Sequence, residues 1–91
     1  MPKYVIEREM PGIGQLSSAE LRAVSQNSCG VLSEMGPQIQ WVESYITDDK
    51  IYGVFIAENK DLVCQHALQS GFPVNYISAI AAIIDTTTAE G

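Results

Sequence analysis

The sequence contains three imidazole or thiol side chains, which can bind metals or act as nucleophiles: His66, Cys29 and Cys64. His66 is the single histidine, and helical spacing places it on the inward stripe of a helix, one turn after Leu62. An imidazole at that position can bind a divalent metal, accept a proton or hydrogen-bond a neighbouring side chain. A core histidine with satisfied hydrogen bonds is the commoner outcome.

The two cysteines differ in position relative to His66. Cys29 lies at the edge of the apolar stripe of a first helix, whereas Cys64 lies two residues before His66 and points to another side of its helix. Free cysteines commonly behave as small buried hydrophobes, and Cys29 is the better soft partner for His66 if a metal binds. A structural zinc site is not indicated, because such sites use four His or Cys ligands at short spacings.

Glu43 is a further candidate for a catalytic or metal-binding role, because alternation along a strand places it among aromatic side chains. The four residues that this pattern groups on one sheet face are Trp41, Glu43, Tyr45 and Tyr52. Glu43 either lies near a strand end or pairs with Arg8 or Lys3 across a dimer. Alternatively, the face lines a pocket between subunits in which Glu43 is a base or metal ligand and the aromatic side chains shape the cavity.

Six elements must position these residues. A strand is predicted over residues 3–9, and a capping box at Ser17 and Glu20 starts a helix that ends before Gly36. The segment from Gln38 to Ala57 predicts a hairpin, split by turn residues. Asn59 or Asp61 caps a second helix that stops at Gly71 and Pro73, and residues 77–84 predict a last, buried strand.

The hairpin has a predicted register. If Thr47 and Lys50 flank a two-residue turn formed by Asp48 and Asp49, then Ser44 faces Gly53. One face then carries Val42, Ser44, Ile46, Ile51, Gly53 and Phe55, and the opposite face carries Trp41, Glu43, Tyr45, Tyr52, Val54 and Ile56. Ser44 and Gly53 form a small polar spot among large apolar side chains, which predicts a cavity beside His66.

The order β-α-β-β-α-β predicts an α+β, ferredoxin-like fold: a four-stranded antiparallel sheet with two helices on one face. Both faces of the hairpin are largely apolar, so the face without helices also needs a cover. A second copy of the chain is the simplest cover, which predicts a homodimer. We expect one domain over residues 1–91, with an ordered core of about 3–85 and a frayed tail at 86–91.

Length and charge exclude several classes of function. The chain has 91 residues, five Lys or Arg against eleven Asp or Glu, and a formal net charge of −6. Nucleic acids and anionic membranes bind clustered basic residues, which this composition does not supply, whereas cations are favoured. The charged N-terminal residues and the lack of a long apolar run predict a cytoplasmic protein without a membrane span.

Blocks along nearly the whole chain resemble a family of small bacterial proteins that includes nickel-binding members. These blocks are residues 1–9, residues 39–52, His66-Ala67 and Gly71-Phe72-Pro73. The resemblance implies a ferredoxin-like domain in a dimeric α+β barrel, and nickel binding. Where the family tends to have Tyr-Cys-Val-Tyr, this sequence has Tyr52-Gly53-Val54-Phe55, so a thiol beside Ser44 is missing.

Three hypotheses about function result. The first is a cytoplasmic protein that binds a divalent metal, with nickel favoured, through His66 and nearby Cys29 or Ser44. The second is a cofactor-free enzyme similar to the monooxygenases and isomerases built on dimeric α+β barrels, with a small organic ligand in the aromatic pocket around Glu43. The third is a binding or structural module without chemistry, because ferredoxin-like domains have many functions.

Overall fold

Four antiparallel strands form one sheet, in which the second strand along the chain lies at one edge, followed by the third, the first and the fourth. The structure is a computed structural model, and it describes residues 1–72 and 74–90. Its elements are β1 (Lys3–Glu9), α1 (Ser18–Met35), β2 (Ile39–Ile46), β3 (Lys50–Ala57), α2 (Lys60–Ser70) and β4 (Tyr76–Ala79), with short 3-10 helices at Ile13–Gln15 and Thr86–Glu90. The predicted β-α-β-β-α-β ferredoxin-like fold is confirmed.

The core lies between the sheet and both helices, on the face of the sheet that we call the inner face. Alternate residues of β1 and β3 are buried there, as the period of a strand requires. The core cluster consists of Tyr4, Ile6, Ile39, Phe55, Ala57 and Val63, with Leu32, Met35 and Leu62 of the helices packed against it. The opposite, outer face has no layer over it among the described residues.

Capping residues fix where the helices begin and end. The Ser17 hydroxyl accepts a hydrogen bond from the Glu20 amide at 3.2 Å, and the Glu20 carboxylate accepts one from the Ser17 amide at 3.0 Å. This is the predicted capping box, and α1 ends at Gly36, where φ is 88°. The Asn59 side chain caps α2 by accepting from the Leu62 amide, and Gly71 ends that helix at φ 80°. Pro73, the other predicted stop, lies outside the described residues.

A β-bulge at Val42 changes which face Trp41 occupies. The predicted pairing of Ser44 with Gly53 is confirmed, but the register shifts so that Trp41 lies opposite Phe55 and Glu43 opposite Val54. An extra residue in one strand reverses the facing of every residue beyond it. Trp41 therefore lies on the inner face, not on the outer face as predicted, and Val42 is the unpaired residue rather than an inner-face residue.

Strand β4 is shorter than predicted. It pairs with β1 from Tyr76 to Ala79, and the Ile80 amide donates to the Lys3 carbonyl at 2.8 Å, where β1 begins. Residues 81–84 therefore have no strand to pair with, and the prediction of a strand over 77–84 is wrong for residues 80–84. The prediction that this strand is buried is wrong as well, because only Ile77 is half-buried in β4. Ile83 is 66% exposed and Ile84 is 79% exposed. Residues 86–90, predicted as a frayed tail, form an exposed 3-10 turn.

The loop after β1 is hydrogen-bonded to the turn between β2 and β3. The Met10 and Gly14 amides donate to the carbonyls of Asp49 and Asp48 at 2.8 and 3.0 Å, and the Gly12 amide donates to the Asp49 carboxylate at 3.0 Å. A Cβ atom on Gly14 would lie 2.8 Å from the Asp48 Cα, so only glycine allows this approach. The two loops thus hold one end of the sheet together.

Within the described residues, no helix has the length and apolar character that crossing a membrane requires.

Candidate functional site

A pocket of about 110 Å³ opens between the inner face and the helices. Four serines line it, from α1, β2 and the end of α2: Ser25, Ser28, Ser44 and Ser70. Apolar and aromatic side chains form the rest of the wall, including Trp41, Phe55 and Phe72. Apolar walls with a few convergent polar groups are typical of sites for small organic ligands.

Gly53 and Ser44 form part of the pocket wall, as neighbours on β3 and β2. A Cβ atom on Gly53 would lie 3.0 Å from the Phe55 ring and 3.2 Å from the Ser44 hydroxyl. Glycine therefore lets these two side chains pack closely against β3, and any other residue at position 53 would crowd them. The Ser44 hydroxyl accepts a hydrogen bond of 2.9 Å from the Trp41 indole, which the bulge has brought to this face.

His66 lies at the helix interface beside the pocket and is only 1% exposed. Its Nε2 atom is 3.1 Å from the Ser28 hydroxyl and 3.4 Å from the Ser70 hydroxyl, both of which line the pocket. Ser70 also donates to the His66 carbonyl at 2.6 Å, and the Phe55 ring centre lies 5.0 Å from the imidazole. The hydrogen bond from His66 to Ser44 that the sequence suggested is absent among the described residues, because α2 places the imidazole between Ser28 and Ser70.

The surroundings of His66 favour the neutral imidazole. Burial lowers the pKa of His66 below its ordinary value, the positive charge of Arg8 lowers it further, and Ser28 opposes the shift. The buried Nδ1 atom has no hydrogen-bond partner among residues 1–72 and 74–90. His66 is therefore a neutral ring with one unused nitrogen.

Arg8 is a pocket residue that the sequence reasoning missed. It follows Tyr4 and Ile6 on the inner face of β1, is 6% exposed and lines the pocket. Burial lowers the pKa of Arg8, and its guanidinium lies 5.9 Å from the centre of the Phe72 ring. The alternation that placed Ile6 inward also places Arg8 inward, so the signal was present in the sequence. Arg8 is thus not available as the outer-face partner suggested for Glu43.

The predicted metal ligands do not form a cluster within the described chain. Cys29 follows Ser28 on α1 and is exposed, and the Ser44 hydroxyl is bonded to Trp41. Within the part of the chain that the structure describes, no three His, Cys, Asp or Glu side chains are grouped as metal ligands would be. His66 is thus the only one of the three predicted ligands at the helix interface.

Three of the four predicted pocket residues lie on the outer face, and Trp41 lies on the inner one. Tyr45 is 56% exposed, and its hydroxyl donates a hydrogen bond to the exposed Glu43 carboxylate. That bond, together with the negative charge of Glu43, raises the pKa of Tyr45. Tyr52, opposite Tyr45 in the register, is half-buried.

Comparison with known proteins gives both a family and a fold. A family model described as nickel-responsive protein SCO4226-like matches residues 4–80. The crystal structure of SCO4226 from Streptomyces coelicolor A3(2) superposes with a TM-score of 0.74 at 14% identity, covering 90% of this chain and 99% of that one. No curated protein matches the chain. Because the matched segment includes most of the sequence, the chain belongs to the family of nickel-responsive proteins similar to SCO4226.

Proposed function

We propose that this protein binds a small organic molecule in the pocket between the sheet and the helices. The observation that carries the proposal is the pocket itself, an opening with mostly apolar walls that four serines and one arginine also line. Such walls contribute binding energy through burial of apolar surface, and a few fixed polar groups orient the ligand. This is the ligand-binding part of the second hypothesis, moved from the predicted outer face to the inner one.

Trp41 makes the proposal testable, because it is the only tryptophan of the chain and it lines the pocket. We expect the fluorescence of Trp41 to change saturably when the full chain is titrated with benzamide or benzoate. The variant Ser25→Phe, at a half-buried pocket position on α1, should abolish the change by filling the space. Ser33→Phe, at an exposed position on the same helix, is the matched control. Equal binding to Ser25→Phe and the unaltered chain would refute the proposal.

Nickel binding is the second candidate function, and the family name favours it. A nickel site takes imidazole, carboxylate, thiolate and water ligands, and His66 has one unused buried nitrogen. The remaining residues around His66 do not fit a nickel ion, because they are serines and the cationic Arg8. A nickel site formed by the described residues of a single chain would therefore rely on exposed donors such as Cys29.

Calorimetric titration with nickel chloride separates the two kinds of site. If the pocket binds nickel, His66→Ala should remove the heat and Cys29→Ser should leave it unchanged. If exposed donors bind it, Cys29→Ser should weaken binding and His66→Ala should not. If titration of the unaltered chain gives no heat beyond the heat of dilution, nickel binding is refuted.

We also propose that a second copy covers the outer face, giving the predicted homodimer of the α+β barrel type. Apolar side chains remain uncovered on that face in the single chain: Val5, Tyr45, Tyr52, Val54, Ile56 and Tyr76. Ile83 and Ile84, in the segment after β4, are exposed as well. Sedimentation at micromolar concentration should give twice the 9.9 kDa mass of one chain. A stable monomer at that concentration would refute the dimer.

We propose that the protein is located in the cytoplasm, because its two free cysteines suit a reducing compartment.

A further inference from the structure

We infer that the pocket selects a small organic monocarboxylate with an apolar or aromatic body, and that Arg8 recognises its carboxylate. The inference rests on the proposed binding of an organic molecule in this pocket and adds the chemical class of that molecule. Three observations carry it: a buried arginine without an acidic partner, its position in the pocket wall, and the mostly apolar character of the remaining wall.

Arg8 is buried without a negative charge to balance it. Across residues 1–72 and 74–90, the Arg8 side chain forms neither an ion pair nor a hydrogen bond. Its chain neighbours Glu7 and Glu9 lie on the other side of β1 by alternation, and Glu7 pairs with Lys50 at 3.2 Å. Burial of a charge without a partner is costly, so a bound anion would stabilise the folded chain.

The guanidinium group suits a carboxylate. Its planar donors match the two oxygens of a carboxylate, which it can bind by two parallel hydrogen bonds. Arg8 is one cation in a chain of formal net charge −6, so a ligand with a single negative charge fits better than a phosphate with two. The hydroxyl of Ser44, another pocket residue, accepts from Trp41 and keeps its own proton as a neutral donor.

The remaining wall and the size of the pocket describe the rest of the ligand. Phe55, Phe72 and Trp41 offer aromatic surface, and the Phe72 ring already lies beside the guanidinium. The pocket volume is about 110 Å³, somewhat less than the roughly 150 Å³ of an engineered apolar cavity that holds benzene. Because this pocket is open to solvent at its mouth, a single ring or short chain that carries one carboxylate fits it.

Benzoate and its neutral isostere benzamide test the inference on the full chain. Titration at constant ionic strength, followed by Trp41 fluorescence and calorimetry, should give benzoate roughly 10-fold or greater preference over benzamide, as one charge-assisted contact predicts. Sodium phosphate should give no saturable change. In Arg8→Met, the affinity for benzoate should fall roughly 10-fold more than the affinity for benzamide, so that the preference for benzoate is lost.

Two further variants control for folding and for charge. Arg22→Met removes the same charge from an exposed position of α1 and should keep the preference for benzoate. Arg8→Lys keeps the charge but loses the two-point geometry, so its preference should fall several-fold even if Arg8→Met does not fold. Equal binding of benzoate and benzamide by the unaltered chain, or an undiminished preference in both Arg8 variants, would overturn the inference and leave the proposed function intact. Binding of neither compound would overturn both.

Discussion

The Nε2 atom of His66 on α2 lies 3.1 Å from the Ser28 hydroxyl on α1, joining the two helices across 38 positions of sequence. The contact is part-buried, and Ser70 is the other hydroxyl within reach of the same nitrogen, at 3.4 Å. Ser28→Ala leaves His66 with the longer contact alone, so we expect a loss of about 1–2 kcal/mol in the free energy of unfolding. Urea unfolding measures the loss. Ser33→Ala, at an exposed position of α1, should change stability by less than about 0.5 kcal/mol, and equal effects of the two variants would contradict the assignment.

Stability should depend on pH through His66. Its pKa in the folded chain is lowered from the ordinary value of 6.5, first by burial and then by Arg8. Between pH 6.5 and the folded-state pKa, the unfolded chain therefore binds a proton that the folded chain does not. The contribution of neutral His66 to the free energy of unfolding is fully present above pH 6.5, and it decreases as the pH falls toward the folded-state pKa. Unfolding from pH 7.5 to 5 should show this decrease, and His66→Gln should remove it. Parallel pH profiles for the two proteins would contradict the prediction.

Two glycine-to-alanine substitutions should have opposite effects on stability. Gly30 lies inside α1 with open space around its Cβ position, so Gly30→Ala should raise the free energy of unfolding by about 0.5–1 kcal/mol. Gly53→Ala places a methyl group 3.0 Å from the Phe55 ring and 3.3 Å from Ile6, which should lower stability by about 1–2 kcal/mol. Thermal and urea unfolding compare the pair. Stabilisation by Gly53→Ala would show that the pocket wall is loosely packed.

A charge on the outer face should separate the proposed dimer without unfolding the chain. Val54 is half-buried on that face, between Val5 and Glu43 in the register. Val54→Lys would place a charge within the dimer contact, and sedimentation should then give a monomer with an unchanged circular dichroism spectrum. Leu68→Lys, on α2 at 82% exposure, makes the same change away from that face and should remain dimeric. A dimeric Val54→Lys variant would show that another surface forms the contact.

Local patterns were enough to predict the fold. The capping box at Ser17, the glycine at position 36 and the two-residue turn after Thr47 each act through neighbouring backbone groups, and each was visible in the sequence. The bulge at Val42 was not visible, because its single extra residue carries no distinctive type. The length of β4 was not visible either, because it depends on where its partner β1 begins.

The candidate site was harder to predict, since its contacts join residues distant in sequence. The position of His66 on the buried stripe of α2 follows from helical spacing, but the hydroxyls that face it come from two helices. Trp41 was assigned to the wrong face because one bulge inverts alternation. Alternation along β1 correctly places Arg8 on the inner face. The residue was not predicted there because charged residues are seldom buried without a partner.

The contact between the loop after β1 and the turn before β3 has a consequence for amide exchange with solvent water. The amides of Met10, Gly12 and Gly14 lie outside the sheet ladder, yet all three donate to Asp48 or Asp49. Release of the Met10 and Gly14 amides, which donate to backbone carbonyls, requires both loops to separate, an opening that also exposes the end of the β2-β3 hairpin. The Met10 and Gly14 amides should therefore exchange with deuterium on the timescale of the sheet, whereas the exposed amides from Ala81 to Ile84, which have no acceptor among the described residues, should exchange first.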